Sequence, residues 1–400
     1  MRCKALSDTF RAAGWRTKIA TRRTTLDVMR NFMGAADDCV LIEADAPRCE
    51  AAAIGVALEE PCDLMVVDHY GMDRTFETAT RDYSRSVLVV DDLADRPHDC
   101  DWLLDQGGTR QIHDYDGLVP PACRLLFGPQ YATLRLEFLQ HRINQRRTTR
   151  SLKRILVSLG ATDPEALSLR ALDGIAATKL PVAIDIVAAE NSPHLGALRR
   201  RIGTLPDNQS SVLHLDTGNM AALMASADLA IGAGGISSWE RCCLGLPTLM
   251  IIVADNQTEN ATALDRAGAA VILGNKSAVT AEMIADNISH LSQDEEARQS
   301  LSRAALGLCD GLGTRRTLLR IASGETARDG QPVSLRPATM ADTEMVYAWQ
   351  MAPETRAFAR NPELPTREEH NAWMARCMAD DRVLLNVLLQ GEEPSGVLRF

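Results

Sequence analysis

Ile231-Gly232-Ala233-Gly234-Gly235-Ile236-Ser237-Ser238-Trp239-Glu240 reads as the end of a strand, a glycine turn and the start of a helix. The lead-in Leu229–Ile231 is apolar on both faces, as a strand in the middle of a parallel sheet must be. Gly234 and Gly235 let the backbone come close to a ligand. The amides of Ile236 and Ser237 would then point out of a helix N-terminus, where unsatisfied donors and the helix dipole favour an anion such as phosphate. Ser237 and Ser238 add hydroxyls, and Glu240, one turn further in, is placed to bridge two vicinal hydroxyls such as those of ribose. A tight βα turn with an acidic first helical turn would use the same residues without any ligand. The stretch has neither the Lys of a P-loop nor the spacing of a dinucleotide-binding glycine motif.

The same grammar recurs on both sides. Arg154-Ile-Leu-Val-Ser-Leu-Gly160-Ala-Thr162-Asp163-Pro164 is a strand, a turn containing Gly160, and a helix led by Pro164. Thr162 is placed to touch a phosphate or to bond within its own turn. The strand Thr248–Val253 runs into Asp255-Asn256-Gln257. Two adjacent amides at a strand end read sugar hydroxyls or acetamido groups, or else cap the next helix at Asn256. Further strands are predicted at Val182–Ala188, Ser211–Leu215 and Ala270–Leu273, with helices between them. Alternating β and α elements predict a doubly wound parallel sheet.

Upstream, the apolar runs ending in Asp68-His69-Tyr70, Asp91-Asp92 and Asp105-Gln106 predict a second parallel sheet with polar groups along its ligand-facing edge. Asp68 and His69 point to opposite faces of a strand, so a direct dyad is disfavoured and His69 reads first as a satisfied buried histidine. Tyr70 is the better candidate for a substrate contact, and His98 and His113 read as surface residues. Residues 1–14 form an amphipathic helix, followed by a short strand at Thr17–Thr21. Linkers are predicted at 140–153 and 322–332. The resulting division is 1–145, a first α/β domain lacking its opening strand; 151–322, a second α/β domain; and 333–400, a partial α+β segment.

Composition sets the outer limits. The 400 residues are 46% hydrophobic and 24% charged, which excludes a disordered or collagen-like chain. The formal net charge of −10 removes the long-range field that draws a protein to nucleic acid, and Arg146, Arg147 and Arg150 read as a solvated linker. Ten cysteines without zinc-ligand spacing are expected to be reduced core residues, consistent with a cytoplasmic location. No 18-residue apolar run predicts a membrane span, and no ligand cluster predicts a metal. No cofactor is expected, and the oligomeric state is not legible.

Taken in order, several stretches resemble the UDP-sugar hydrolases of pseudaminic acid synthesis. They are Met1-Arg2-Cys3, Val67-Asp-His-Tyr70, Val90-Asp-Asp-Leu93, Gly128-Pro-Gln-Tyr131-Ala-Thr-Leu-Arg135 and Val157-Ser-Leu-Gly160-Ala-Thr-Asp163. Ala233–Pro247, Asn256-Gln257 and Asp310-Gly-Leu-Gly313 complete the set. That family cleaves UDP-2,4-diacetamido-2,4,6-trideoxy-β-L-altropyranose and is similar in fold to GT-B glycosyltransferases, two Rossmann-like domains flanking a cleft. The resemblance implies a UDP-sugar substrate whose pyrophosphate faces Gly160, Thr162, Gly234, Gly235, Ile236 and Ser237, with Glu240 on the ribose. It implies Gln257 and Arg2 as further substrate contacts, and Tyr70 and Asn256 at the reacting sugar. Water would attack the anomeric carbon with inversion and without a metal.

The family's G-H-x-M-R-C pattern places a histidine, the expected general base, ahead of the Met that is residue 1 here. The expectation for this chain is therefore that nucleotide binding is retained and turnover is not. Absence of that opening strand also predicts poor stability. Two other classes carry over as alternatives: a GT-B glycosyltransferase using a UDP-N-acetylated sugar, and a non-catalytic UDP-sugar-binding remnant. The tail Leu335-Arg-Pro-Ala-Thr-Met-Ala-Asp342, with Trp349, Thr355-Arg356, Glu369-His370 and Trp373, resembles the start of a GNAT-type N-acetyltransferase. The acetyl-CoA loop of that family would follow residue 400, so acetyl-CoA is not expected to bind.

Overall fold

The computed structural model describes the chain except for residues 30–32, 35–36, 44–46, 59, 145–150, 161–162, 323–324, 328–330, 357–362, 381–382 and 400. The chain folds as two compact units. One comprises Met1, Lys18–Ala132 and Arg147–Asp310; the other comprises Arg2–Thr17, Thr133–Arg146 and Gly311–Phe400.

In chain order, α1 (Arg2–Ala12) precedes β1 (Lys18–Thr21), α2 (Arg23–Met29), β2 (Asp38–Leu41), α3 (Pro47–Ala57), β3 (Cys62–Val67), α4 (Arg74–Thr80), β4 (Ser84–Val90), β5 (Trp102–Asp105) and β6 (Arg124–Phe127). Then come α5 (Leu136–Asn144), β7 (Arg154–Ser158), α6 (Leu167–Thr178), β8 (Ala183–Ala188), α7 (Leu195–Ile202), β9 (Ser210–Leu215), α8 (Met220–Ser226) and β10 (Leu229–Ala233). These lead to α9 (Ser237–Cys243), β11 (Thr248–Ile252), α10 (Thr258–Arg266), β12 (Val271–Asn275), α11 (Ala281–Gln293), α12 (Glu295–Leu308) and α13 (Gly313–Ala322). Last are β13 (Glu325–Thr326), β14 (Pro332–Pro337), α14 (Thr343–Met351), α15 (Pro353–Arg356), α16 (Arg367–Ala379), β15 (Leu385–Gln390) and β16 (Glu393–Arg399).

The first unit holds three parallel sheets: the pair β1-β2, the four strands β3-β4-β5-β6, and six strands in the order β12-β11-β10-β7-β8-β9. The six-stranded order is that of a Rossmann sheet. Beginning at β7, the chain winds outward through β8 and β9, then crosses back to β10 and winds the other way. Its central strands are mostly apolar because helices cover the sheet: Ile155, Val157, Ile184, Ile186, Leu229, Ile231, Leu249 and Ile251 are all buried. They pack with Leu172 and Ile175 of α6 and Ile284 and Ile288 of α11 in one core. Burying each such side chain contributes about 1.5–3 kcal/mol before entropy is charged against it. A smaller core, with Val67, Phe76, Val87, Val89, Leu103 and Tyr115, serves the four-stranded sheet.

In the second unit α1 packs on α13 and α5 on α16. Strands β13-β14-β15-β16 form an antiparallel sheet over a core of Val346, Met374, Cys377, Met378, Leu385 and Val387, against which Trp349 and Trp373 are partly buried. The N-terminus of α16 is fixed by a capping box between Thr366 and Glu369.

Several local expectations are corrected. Residues 140–144 are the end of helix α5 rather than linker, while Arg146, Arg147 and Arg150 lie outside the described residues. The stretch 322–332 contains β13, paired to β14. Strands β2 and β6 are additional to those predicted; each is only four residues long and offers too short a period to read. The cysteines do not all lie in the core: Cys49 is exposed, and Cys3, Cys39, Cys62 and Cys123 are only half-buried. No helix among the described residues is long and apolar enough to cross a membrane.

Candidate functional site

Strands β7 and β10 are neighbours in the sheet, with Ser158 in register opposite Gly232. Their connections leave in opposite directions, so a crevice opens beyond their carboxyl ends. Two glycine turns stand at that crevice. Gly160 follows β7, exposed and at φ +102°, a conformation that glycine adopts without strain. Gly234 and Gly235 follow β10 and lead into α9. Thr162 lies outside the described residues.

The glycine turn after β10 is braced by Gln257. The Gln257 side-chain oxygen accepts from Gly234 N at 3.0 Å and from Val253 N at 3.2 Å, tying the turn to the end of β11. A Cβ on Gly234 would lie 3.1 Å from the Gln257 Cβ, so a larger residue would crowd the brace. The Gln257 oxygen is thus engaged within the protein, and its Nε2 sits 3.7 Å from where a Gly235 Cβ would be. Asn256, beside it in a 3-10 turn Asp255–Gln257, is exposed, and no side chain caps α10.

Ser237 and Ser238 differ. The Ser238 hydroxyl donates to Gly235 O at 2.6 Å and is buried, so it closes the helix start instead of facing outward. Ser237 is half-buried and its Oγ accepts from Arg241 Nη1 at 3.2 Å, leaving its own proton to donate elsewhere. Ile236 and Glu240 are half-buried on the same turn and the helix it starts. Arg2 belongs to the other unit, buried in the first turn of α1.

On the four-stranded sheet, the strand-end carboxylates do not all face a ligand as expected. Asp91 and Asp105 are fully buried, and the Tyr115 hydroxyl lies 2.9 Å from a carboxylate oxygen of each. Asp105 also accepts from Gly107 N at 2.7 Å and Arg110 Nε at 2.9 Å, and Asp91 pairs with Arg96 at 2.9 Å. Burial alone raises both carboxyls. For Asp91 the Ala94 N–H, Arg96, Tyr115 and His98 outweigh it and hold the group below the usual carboxylate range. For Asp105 burial wins over Gly107, Arg110 and Tyr115, and the group sits above that range. Squeezed between two carboxylates in a buried place, the Tyr115 phenol is pushed far up and stays protonated.

Two histidine expectations reverse. His98 is completely buried, with Nδ1 2.7 Å from Glu77 Oε1, and Glu77 is buried with it. His69 is exposed, its Nδ1 accepting from Gly71 N at 2.9 Å. Tyr70 is 51% exposed and its hydroxyl donates to Asp92 Oδ2 at 3.2 Å, which keeps the phenol at the sheet edge and accessible.

Residues the sequence did not single out join this site to its support. Arg110 reaches from the loop after β5 to Glu259 on α10 at 3.1 Å. Gly108 in that loop lies so close to α9 and α10 that a Cβ there would fall 2.5 Å from Ala263 Cβ and 3.3 Å from the Trp239 ring. Arg241, buried behind the glycine turn, was also missed. The Gly107-Gly108 pair was the one sequence signal for the close approach, since glycines invite backbone contact.

The glycosyltransferase family 28 C-terminal domain matches residues 212–311, the part that carries β10, the glycine turn and α9 to α12. Spore coat polysaccharide biosynthesis protein SpsG of Bacillus subtilis is 35% identical over 194 residues, 48% of this chain and 56% of that protein. The chain thus spans just over half the length of this relative. The UDP-2,4-diacetamido-2,4,6-trideoxy-β-L-altropyranose hydrolase of Campylobacter jejuni is 30% identical over 217 residues, 54% of this chain and 75% of the relative. Among solved structures, MurG of Acinetobacter baumannii superposes with TM-score 0.55 at 14% identity, covering 80% of this chain and 94% of MurG. The MnaA–UDP structure of Staphylococcus aureus gives the same TM-score at 12% identity, covering 80% of this chain and 94% of MnaA. The four-stranded and six-stranded parallel sheets and these neighbours make the fold GT-B. The chain belongs to the GT-B-fold, UDP-sugar-related family that includes the Campylobacter jejuni hydrolase.

Proposed function

We propose that this chain binds a UDP-linked N-acetylated sugar and that its reaction is hydrolysis at the anomeric carbon, releasing UDP and the free diacetamido-trideoxy-altropyranose of pseudaminic acid synthesis. The observation that carries the reading is the pair of glycine turns, Gly160 and Gly234–Gly235, on the adjacent strands β7 and β10 at the crossover point of a Rossmann sheet. A diphosphate fits there because close backbone approach and outward amides are what a spread negative charge needs. The 30% identical hydrolase supports the specific substrate.

In this reading Gly160, Gly234, Gly235, Ile236 and Ser237 face the pyrophosphate, and Glu240 takes the ribose hydroxyls. Gln257 holds the turn, Asn256 meets the sugar, and Tyr70 approaches it from the four-stranded sheet. Water attacks the anomeric carbon as the bond from that carbon to the β-phosphate oxygen breaks, its electron pair leaves with UDP, the water's extra proton passes to solvent, and configuration inverts. The leaving diphosphate is stabilised by donors already in place, so no reorganisation is needed when the charge develops.

The family 28 match favours a second reading, transfer of the sugar to an acceptor. Incubation of the purified chain with the UDP-linked diacetamido sugar decides between them. UDP with free sugar, and no acceptor present, supports hydrolysis. UDP release only with an acceptor supports transfer. Tight UDP binding with no release selects the non-catalytic reading.

A further inference from the structure

Arg241 lies in α9 and is only 1% exposed. Its Nη2 donates to Ala233 O at 2.5 Å and its Nη1 to Ser237 Oγ at 3.2 Å, while Nε has no partner among the described residues. Both partners flank the glycine turn: Ala233 is the last residue of β10 and Ser237 the first of α9. Gly232 makes room for the guanidinium, since a Cβ there would fall 2.5 Å from Nη1.

Two half-buried guanidiniums at the edge of the four-stranded sheet each have a carboxylate. Arg96 pairs with Asp91 and Arg110 with Asp105. Among the described residues no ion pair includes Arg241, whose two hydrogen bonds go to neutral oxygens. Burial pushes its pKa down to about 10, with the charges of Cys242 and Glu240 acting the other way, so the group is still a cation at neutral pH. A buried cation whose hydrogen bonds go only to neutral oxygens is costly, and the cost falls when an anion arrives close by. The turn it supports is the place the proposed function gives to a diphosphate.

We infer that Arg241 is a positioning residue whose counter-ion is the diphosphate of a bound nucleotide, acting through Ser237 and the Ala233 carbonyl from behind the turn. The guanidinium fixes Ser237 Oγ as acceptor, which turns the Ser237 proton outward toward a phosphate oxygen, and it lends unscreened positive potential to the turn. This inference rests on the nucleotide reading of the site.

The test compares UDP, UMP and uridine binding by calorimetry to the wild-type chain, Arg241→Gln, Arg241→Lys and Ser237→Ala. Arg241→Gln is expected to weaken UDP by about tenfold or more, UMP less, and uridine by under about twofold, because hydrogen bonds involving a charge are the strong ones. Arg241→Lys keeps the charge but loses the two-pronged reach, and is expected to recover part of the UDP affinity. Should Arg241→Gln fail to fold, Ser237→Ala decides, with UDP weakened several-fold and uridine unchanged. Equal loss of UDP and uridine, or unchanged UDP affinity, in the folded variants overturns this inference alone. A wild-type chain that binds no UDP overturns the nucleotide reading and takes this inference with it.

Discussion

Arg110 and Glu259 stand 3.1 Å apart, joining the loop after β5 to α10 of the six-stranded sheet's domain. The pair is lopsided. Arg110 is 10% exposed and anchored by the fully buried Asp105, whereas Glu259 is 57% exposed. Glu259→Ala should therefore cost only about 0.2–1 kcal/mol, the range for solvent-screened pairs. Arg110→Ala leaves the Asp105 charge buried without its cation and should cost about 3–5 kcal/mol. Denaturant unfolding of the two variants checks this; equal losses would show that the two sides of the pair are equally screened.

The loop that carries Arg110 is seated by shape as well as charge. A methyl group at Gly108 would meet the Ala263 Cβ at 2.5 Å, and neither a backbone-held Ala263 nor the buried Trp239 ring can step aside. Gly108→Ala should destabilise by about 1–3 kcal/mol, the usual cost of overpacking. The matching substitution at Gly117, where a Cβ has open space but φ is +74°, should cost less than that steric clash. Urea midpoints of the two variants give the comparison.

How much of this was legible follows from what each feature depends on. The six-stranded sheet could be read because its strands are continuous apolar runs ending in glycine or amide turns, a signal local to each segment. Gly234, Gly235 and Ser237 were visible for the same reason. The Gln257 brace was not, because its bonds to Gly234 and Val253 depend on β10 and β11 being adjacent. Asp91 and Asp105 looked like ligand groups because strand-end aspartates usually face a crevice. A tyrosine 10 residues from one and 24 from the other turns them inward, and no local pattern encodes that. His98 was misread in the same way, since Glu77 is 21 residues distant.

Gln257 offers a test of the brace apart from the fold. Gln257→Ala removes the acceptor shared by Gly234 N, on a buried residue, and Val253 N, on a half-buried one. Loss of stability should be about 1–3 kcal/mol, the range for two neutral hydrogen bonds. If the turn holds a diphosphate, UDP affinity should fall by more than the stability change implies, because the amides facing it are no longer held. Calorimetric titration alongside thermal unfolding separates the two; a proportionate fall in both would make Gln257 a structural residue only.

Acid should unfold the first unit through Asp91. Its carboxyl is held below the usual range in the folded chain, so it contributes stability that is present above the unfolded value, near about pH 4, and is lost as pH falls through the lower folded value. Asp105, held above that range, has the opposite sign: keeping it ionised costs the fold something at neutral pH, and that cost fades on acidification. The two partly cancel near their crossover, which delays the acid transition until Asp91 itself takes a proton. Asp91→Asn should therefore be about 3–5 kcal/mol less stable than wild type at pH 7, because Arg96 loses a buried partner. The gap should narrow below about pH 4, where the unfolded wild-type carboxyl takes up a proton while the folded one is still held ionised. Denaturant curves at pH 7, 5, 4 and 3 measure it, and a gap that stays constant over that series would mean that Asp91 stabilises the sheet edge by packing and not by its charge.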